Sequence, residues 1–254
     1  MKKVVINSQL ISYSEYLSGK EGQTLLFLHG WRVDGSIWNK TIELMRQAGI
    51  KNDIYAMDFS GFGGSPAPTR DFCLSDYCGV VEGFIEKLGL EKVIIIGHSF
   101  GGRVGIKLSA THPELINKLV LVDSAGLITE KNKKSAMKLG AKMLKPFFAN
   151  KFMQPLRKKI YQAIGSEDYL ATPQLQKTYI NVTNEDLSLY LPQISAPTLI
   201  IWGAKDLDTP LGYAEIMKQK ISNSQLIIYP EAGHFSFSDN QEEFVKNIKE
   251  FIHA

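Results

Sequence analysis

Gly97-His98-Ser99-Phe100-Gly101 has the form G-x-S-x-G, a serine with a glycine two residues to either side. A serine at its ordinary pKa is a poor nucleophile, so it needs a base to take its proton. A sharp strand-to-helix turn would expose the hydroxyl, and the glycines would let strand and helix close up behind it. The helix N-terminus beneath the serine would favour developing negative charge. The five-residue pattern alone is common. Its setting is more telling, because residues 92–96 read as a buried strand and residues 103–108 as a helix.

Five histidines could supply the base. His98 adjoins Ser99 and is expected to face the other side of the turn. His29 precedes Gly30, His112 precedes Pro113 at a helix end, and His253 is the penultimate residue. His234 follows the last apolar run, in Pro230-Glu231-Ala232-Gly233-His234-Phe235, where a loop could carry it to Ser99. Such a base requires a carboxylate to fix its tautomer and stabilise the imidazolium. Asp206 and Asp208 lie together in Trp202-Gly203-Ala204-Lys205-Asp206-Leu207-Asp208-Thr209-Pro210, and Asp123 closes an earlier apolar run; all three compete. An oxyanion hole needs two N–H donors aimed at one point. The Phe100 N–H is one candidate, and the Trp31 N–H, in the turn His29-Gly30-Trp31-Arg32, is the other.

These residues need a scaffold that brings distant loops to one edge. Apolar runs at 4–6, 10–16, 24–28, 53–57, 92–96, 119–122, 198–202 and 226–229 read as strands. The last six are near-continuous β-formers, as expected for strands of a parallel sheet buried on both faces. Helix-like segments at 37–48, 74–88, 100–111, 211–220 and 241–252 fall between them. The alternation predicts a doubly wound α/β sheet. Ligands of such sheets bind outside the carboxyl ends of the strands, where Ser99, Asp206 and His234 all fall.

Residues 126–193 break the alternation and read as several helices with turns at Pro146, Pro155, Gly165 and Pro173. Residues 124–193 hold eleven Lys or Arg against five Asp or Glu, which leaves the rest of the chain net acidic. Overall, the 254 residues carry a formal charge of only +3, with 44% hydrophobic and 22% charged residues. That balance gives no reason to expect a nucleic-acid partner. The two cysteines, Cys73 and Cys78, are too few for a disulfide framework and make a poor metal site. No run reaches the roughly 18 apolar residues of a membrane span, so no stable membrane insertion is expected. The apolar start stops after Ile6, too short for a secretory signal, and a cytoplasmic location is expected.

Taken in order, these segments make the chain resemble the α/β-hydrolase superfamily. The resemblance covers nearly the whole length on five landmarks. They are His29-Gly30-Trp31, Asp58-Phe59-Ser60-Gly61-Phe62-Gly63-Gly64-Ser65, the elbow at Ser99, Trp202-Gly203-Ala204-Lys205-Asp206 with Pro210, and Gly233-His234. The resemblance selects Asp206 as the acid, since relatives place theirs four residues before a proline, and it gives Asp58 a structural role. It implies an α/β-hydrolase core at 1–125 and 194–254, with a mostly parallel sheet. Residues 126–193 would form a helical cap (lid) inserted after the sixth strand. Haloalkane dehalogenases and epoxide hydrolases carry an aspartate at the elbow, so Ser99 points away from both.

The implied activity is a serine hydrolase that cleaves a carboxylic ester or thioester of a small to medium acyl group, with no metal or organic cofactor. Phe147 and Phe148 in the cap suit an apolar acyl or aromatic group. The basic cap could steer an anionic substrate or an acidic carrier protein, as in relatives resembling the pimeloyl-carrier-protein methyl esterases. Arg103 lies one helical turn past Ser99, and the Gly-Gly-Arg run is similar to that of menaquinone-pathway lyases of this fold, so Arg103 is expected to meet an anionic group. Carbon–carbon bond hydrolases and those lyases share the triad and stay open, as does a non-catalytic small-ligand receptor. The oligomeric state is open too.

Overall fold

A computed structural model describes residues 1–19, 22–128 and 172–254. Eight strands form one sheet: β1 (Lys2–Ile6), β2 (Gln9–Tyr16), β3 (Leu25–Leu28), β4 (Ile54–Met57), β5 (Val93–His98), β6 (Ile116–Val122), β7 (Thr198–Gly203) and β8 (Ser224–Tyr229). Their order is β1-β2-β4-β3-β5-β6-β7-β8. β2 is antiparallel to both its neighbours, and β3 to β8 pair in parallel.

Period-two side-chain alternation divides the central strands between two apolar layers. Val93 and Ile95 of β5 join one layer, Ile94 and Ile96 the other. Leu25 to Leu28 of β3 and Leu119 to Val122 of β6 alternate in the same way. Every position therefore has to be apolar, which is why these runs are continuous in the sequence.

Helices cover both layers. On one face lie α1 (Asn39–Gln47) and, at the chain's end, α7 (Gln241–His253). α7 buries Phe244, Val245, Ile248, Phe251 and Ile252, an apolar stripe at helical spacing. On the other face lie α2 (Leu74–Lys87), α3 (Phe100–Thr111) and α5 (Gly212–Lys220), whose apolar residues share a cluster with Leu26, Leu28 and Ile95. α2 begins at Cys73, whose N–H donates to Asp76 Oδ2 at 2.7 Å.

Residues 172–193 contain α4 (Gln176–Thr183) between two 3₁₀ turns, Pro173–Leu175 and Leu191–Gln193. Leu175, Val182, Leu187 and Leu191 are buried in the same cluster as Val104 and Leu108 of α3. The Leu187 N–H donates to the Gly126 carbonyl at 2.9 Å, so the chain returns beside the point where it left β6. The rest of the expected cap, with Phe147, Phe148 and most of the basic residues, lies outside the described residues.

Several elements differ from the sequence expectation, among them β6, which begins at Ile116 and not at 119. The helix expected at 37–48 begins as a 3₁₀ turn, Gly35–Trp38, because Asp34 accepts from the Ser36 N–H and starts a tighter turn. An unexpected short helix, α6 (Ser236–Asp239), precedes α7. β8 is an edge strand, so Gln225 and Ile228 face solvent instead of a second layer.

Parallel strands all point one way, so the loops after β3 to β8 leave at one edge of the sheet. β8 lies three strands from β5, roughly 14 Å at normal strand spacing. The loop after β8 has to cross that width to bring His234 to the elbow.

Candidate active site

Ser99 sits between β5 and α3 with φ +49° and ψ −109°, a left-handed conformation that costs a non-glycine residue of order 1–3 kcal/mol. Neighbouring backbone enforces it. The Ser99 N–H donates to Val122 O at 3.0 Å, and its carbonyl accepts from Ala125 N (3.0 Å) and Arg103 N (3.1 Å). The flanking glycines are needed for close approach. A Cβ on Gly97 would fall 2.6 Å from the Gly101 carbonyl, and one on Gly101 would fall 2.6 Å from the Leu28 carbonyl carbon. Neither backbone atom can retreat without moving α3 or β3. The serine is half-buried at the N-cap of α3, and Phe100 N–H belongs to the first turn, where a helix leaves its donors free.

Asp206 and His234 meet on the loops after β7 and β8, with His234 Nδ1 2.8 Å from Asp206 Oδ2. The Asp206 side chain is fully buried and its oxygens accept further bonds. Asp208 N (2.8 Å) and Thr209 N (2.9 Å) donate to Oδ1, and the Thr209 hydroxyl donates to Oδ2 at 2.6 Å. Burial pushes the Asp206 carboxyl up, but the hydrogen bonds and charge of His234, with Thr209, outweigh it and hold the pKa below its ordinary value. Burial likewise pushes the His234 imidazole down, and the Asp206 carboxylate outweighs that and raises it above 6.5. The Asp206 carboxylate oxygen at Nδ1 only accepts, which fixes the Nδ1–H tautomer and leaves a lone pair on Nε2.

The turn after β3 lies directly against the elbow. Trp31 is buried, with its ring centroid 5.1 Å from that of Phe100, and its Nε1 donates to Thr172 Oγ1 at 3.2 Å. Buried His29 places Nδ1 2.6 Å from Gly30 O and accepts the Phe59 N–H on Nε2 at 2.9 Å. Gly30 C=O and Trp31 N–H point opposite ways across a trans peptide, so this bond turns the Trp31 N–H away from His29. The Asp58 carboxylate closes the next loop, accepting from Gly35 N and Gly64 N, each at 2.8 Å.

The competing carboxylates occupy other places. Asp208 is exposed, although its carboxylate shares a group with Asp206 and His234 whose ligand-type atoms lie within 4.8 Å of one another. Those three could approach a cation, but Asp206 already accepts four bonds. Asp123 is buried at the end of β6, accepting from Gly203 N (2.8 Å) and Ser236 N (3.0 Å). Burial pushes its carboxyl up to about 7 against those two amides.

Arg103 corrects the expectation of an anion contact. It is buried beneath residues 182–185, with Nη1 donating to Val182 O at 2.8 Å and Glu185 O at 2.5 Å. Burial lowers its pKa to about 10. Four residues on, Lys107 bonds Glu185 Oε1 at 2.6 Å and Ser75 Oγ at 2.8 Å, so this face of α3 clamps the returning chain. Phe147 and Phe148 lie outside the described residues.

Thr209 was missed from the sequence. Its signal is the spacing Asp206-Leu207-Asp208-Thr209, a turn in which the aspartate caps its own downstream N–H groups. His98, next to Ser99, is buried and bonds the His234 carbonyl at 2.7 Å, a partner that the sequence does not reveal.

The family model described as the alpha/beta hydrolase fold matches residues 23–159 and 172–241. A pimeloyl-[acyl-carrier protein] methyl ester esterase of Nitrosomonas europaea is 28% identical over 88% of this chain and 93% of its own. A 2-hydroxy-6-oxononadienedioate/2-hydroxy-6-oxononatrienedioate hydrolase of Pseudomonas putida is also 28% identical, over 95% of this chain and 91% of its own. An esterase structure from Exiguobacterium antarcticum superposes with a TM-score of 0.77 at 24% identity, covering 99% of each chain.

Proposed function

The chain belongs to the alpha/beta hydrolase fold family and is a hydrolase, and on that premise we propose that it cleaves a carboxylic ester or thioester through an acyl-enzyme on Ser99. The observation that carries this reading is the bond of His234 Nδ1 to a fully buried Asp206 carboxylate, on loops that reach the strand edge where Ser99 stands. His234 Nε2 takes the Ser99 hydroxyl proton as Oγ attacks the acyl carbon. The Trp31 and Phe100 N–H groups receive the tetrahedral oxyanion. The C–O or C–S bond then breaks, and His234 passes its proton to the leaving group. Water, deprotonated by the same imidazole, releases the acid and restores the serine.

The substrate class follows from weaker observations. The two relatives act, by their names, on a methyl ester of a carrier-linked pimeloyl group and on an oxo-dienedioate. We favour the ester, with residues 126–193 forming a cap whose basic excess draws an anionic or carrier-bound substrate, and with Phe147 and Phe148 against the acyl chain. Turnover of carrier-linked esters should then fall with salt.

The test is a chain-length series of p-nitrophenyl esters with Ser99→Ala in parallel. Turnover lost in the variant supports the acyl-enzyme, and the preferred chain length sizes the acyl pocket. The Pseudomonas relative supports a second reading, carbon–carbon bond hydrolysis. Cleavage of a 2-hydroxy-6-oxo-dienoate without ester turnover would select it. No turnover of either, and no fluorophosphonate labelling of Ser99, would leave a binding protein on the same fold.

A further inference from the structure

The mechanism above makes no use of the His98 side chain, which adjoins the nucleophile. His98 is 1% exposed, and its Nε2 lies 2.7 Å from the backbone carbonyl oxygen of His234. A carbonyl only accepts, so Nε2 carries the proton and donates. That tautomer leaves Nδ1 a bare lone pair, and Nδ1 is buried without a hydrogen-bond partner among the described residues.

The surroundings do not call for a polar group. The ring centroids of Phe235 and Phe237 are 4.9 and 5.3 Å away, and that of Trp38 is 6.4 Å away. An apolar side chain would fill this space without an orphaned nitrogen. Among the described residues, the imidazole's one hydrogen bond is with the main chain of His234, whose ring centroid is 4.9 Å from its own. On the opposite side, a Cβ on Gly30 would fall 2.8 Å from His98 Nδ1 and 3.3 Å from Ser99 Cβ. One ring therefore touches the nucleophile elbow, the loop of the base and the turn that leads to Trp31.

We propose that His98 is a positioning residue whose Nε2–H holds the His234 main chain, and through it the His234 imidazole, in register with Ser99. The proposal rests on the reading of His234 as the base. Asp206 fixes only the Nδ1 end of that ring, and a ring held at one atom can swing about it. The loop is anchored on either side of His234, at the Gly233 N–H by Asp239 Oδ2 (2.9 Å) and at the Ser236 N–H by Asp123 Oδ2 (3.0 Å). Between them, His98 holds the carbonyl of His234 itself. The ring must stay neutral in this role, because a second cation would oppose the imidazolium formed on His234. The titratable groups facing it are His234, Asp206 and His29, and burial, reinforced by the charge on His234, holds its pKa down to about 3.

The test compares His98→Gln with His98→Met. The two side chains have similar length, and only glutamine brings an N–H to the His234 carbonyl. For the Met variant we expect kcat to fall about 10- to 100-fold, as a misplacement of around 1 Å does, with KM within about twofold. The Gln variant should keep kcat within about threefold of wild type. The Met variant should melt only a few degrees below the Gln variant, the cost of one part-buried carbonyl left without its donor. Should the Met variant fail to fold, His98→Asn, whose amide stops short of the carbonyl, should show the same fall in kcat. A Met or Asn variant with wild-type kcat, or a Gln variant as impaired as they are, would overturn this role alone. Turnover that survived Ser99→Ala or His234→Ala would overturn it together with the serine-hydrolase reading.

Discussion

Replacing Asp206 by asparagine changes one atom and should invert the tautomer of His234. Asp206 Oδ1 accepts two backbone N–H groups, from Asp208 and Thr209, while Oδ2 accepts from His234 Nδ1 and Thr209 Oγ1. Asparagine has one oxygen, and the two fixed amides claim it. Its NH₂ must then face His234 Nδ1. A donor opposite Nδ1 forces that nitrogen to accept, the proton moves to Nε2, and the lone pair that should take the Ser99 proton is gone. Losses of this kind are about 10⁴-fold in kcat, or roughly 5.4 kcal/mol at 1.36 kcal/mol per decade. The backbone bonds survive, so the melting temperature should move little. The assay is p-nitrophenyl ester hydrolysis, with Ser99→Ala as the floor and Asp208→Asn as the control at an exposed carboxylate. An Asp206→Asn enzyme within tenfold of wild type, or an equal loss from Asp208→Asn, would refute the assignment of the acid.

Other consequences are open to direct measurement. Because the net effect of burial and Asp206 raises the His234 pKa, kcat/KM should still be climbing as pH passes 6.5; a pH profile whose acid limb is centred below 6.5 would contradict this. Asp123 moves the opposite way from an ordinary paired carboxylate, with a folded pKa of about 7 against 3.8. Its contribution is therefore fully present below 3.8 and is lost as pH rises through about 7; urea midpoints of wild type and Asp123→Asn across that window should differ in slope, and parallel slopes would sink the claim. Arg103→Met strips two buried carbonyls of their donor and should cost about 2–4 kcal/mol of stability while lowering kcat/KM equally for neutral and anionic esters. A selective loss on anionic esters would restore the anion-binding role.

The parts of this fold that the sequence makes legible are those where burial constrains every residue. β3, β5 and β7 stand out because alternate side chains must satisfy two apolar layers, and no polar residue interrupts them. β8 was read short, since an edge strand tolerates Gln225 and an exposed Ile228. The elbow is legible because close backbone approach admits only glycine at 97 and 101. Helical spacing told which way along α3 Arg103 would stand relative to Ser99, but not that residues 182–185 would cover it with carbonyl groups. That contact joins segments far apart in the chain and leaves no local pattern. His98 fails for the same reason, since its partner is a backbone oxygen and backbone oxygens have no signature in a sequence.

The supporting contacts share a physical form. His29 binds Gly30 O and Phe59 N, His98 binds His234 O, Asp58 binds Gly35 N and Gly64 N, and Asp123 binds Gly203 N and Ser236 N. In each set a buried side chain at one strand's carboxyl end satisfies the main chain at another's, while the bonds to Gly30 O and Gly64 N stay within one loop. Such bonds lie in low dielectric, where they are stronger than in water and costly to break. Strand-end loops ordinarily belong to the least stable part of a protein. Here opening one loop would orphan buried groups on its neighbour, so the loops share their stability. An oxyanion hole lowers a barrier only to the extent that its donors are already in place when charge develops. The side chains that stitch these loops supply that prior order, and they do so at the one edge where six parallel strands end.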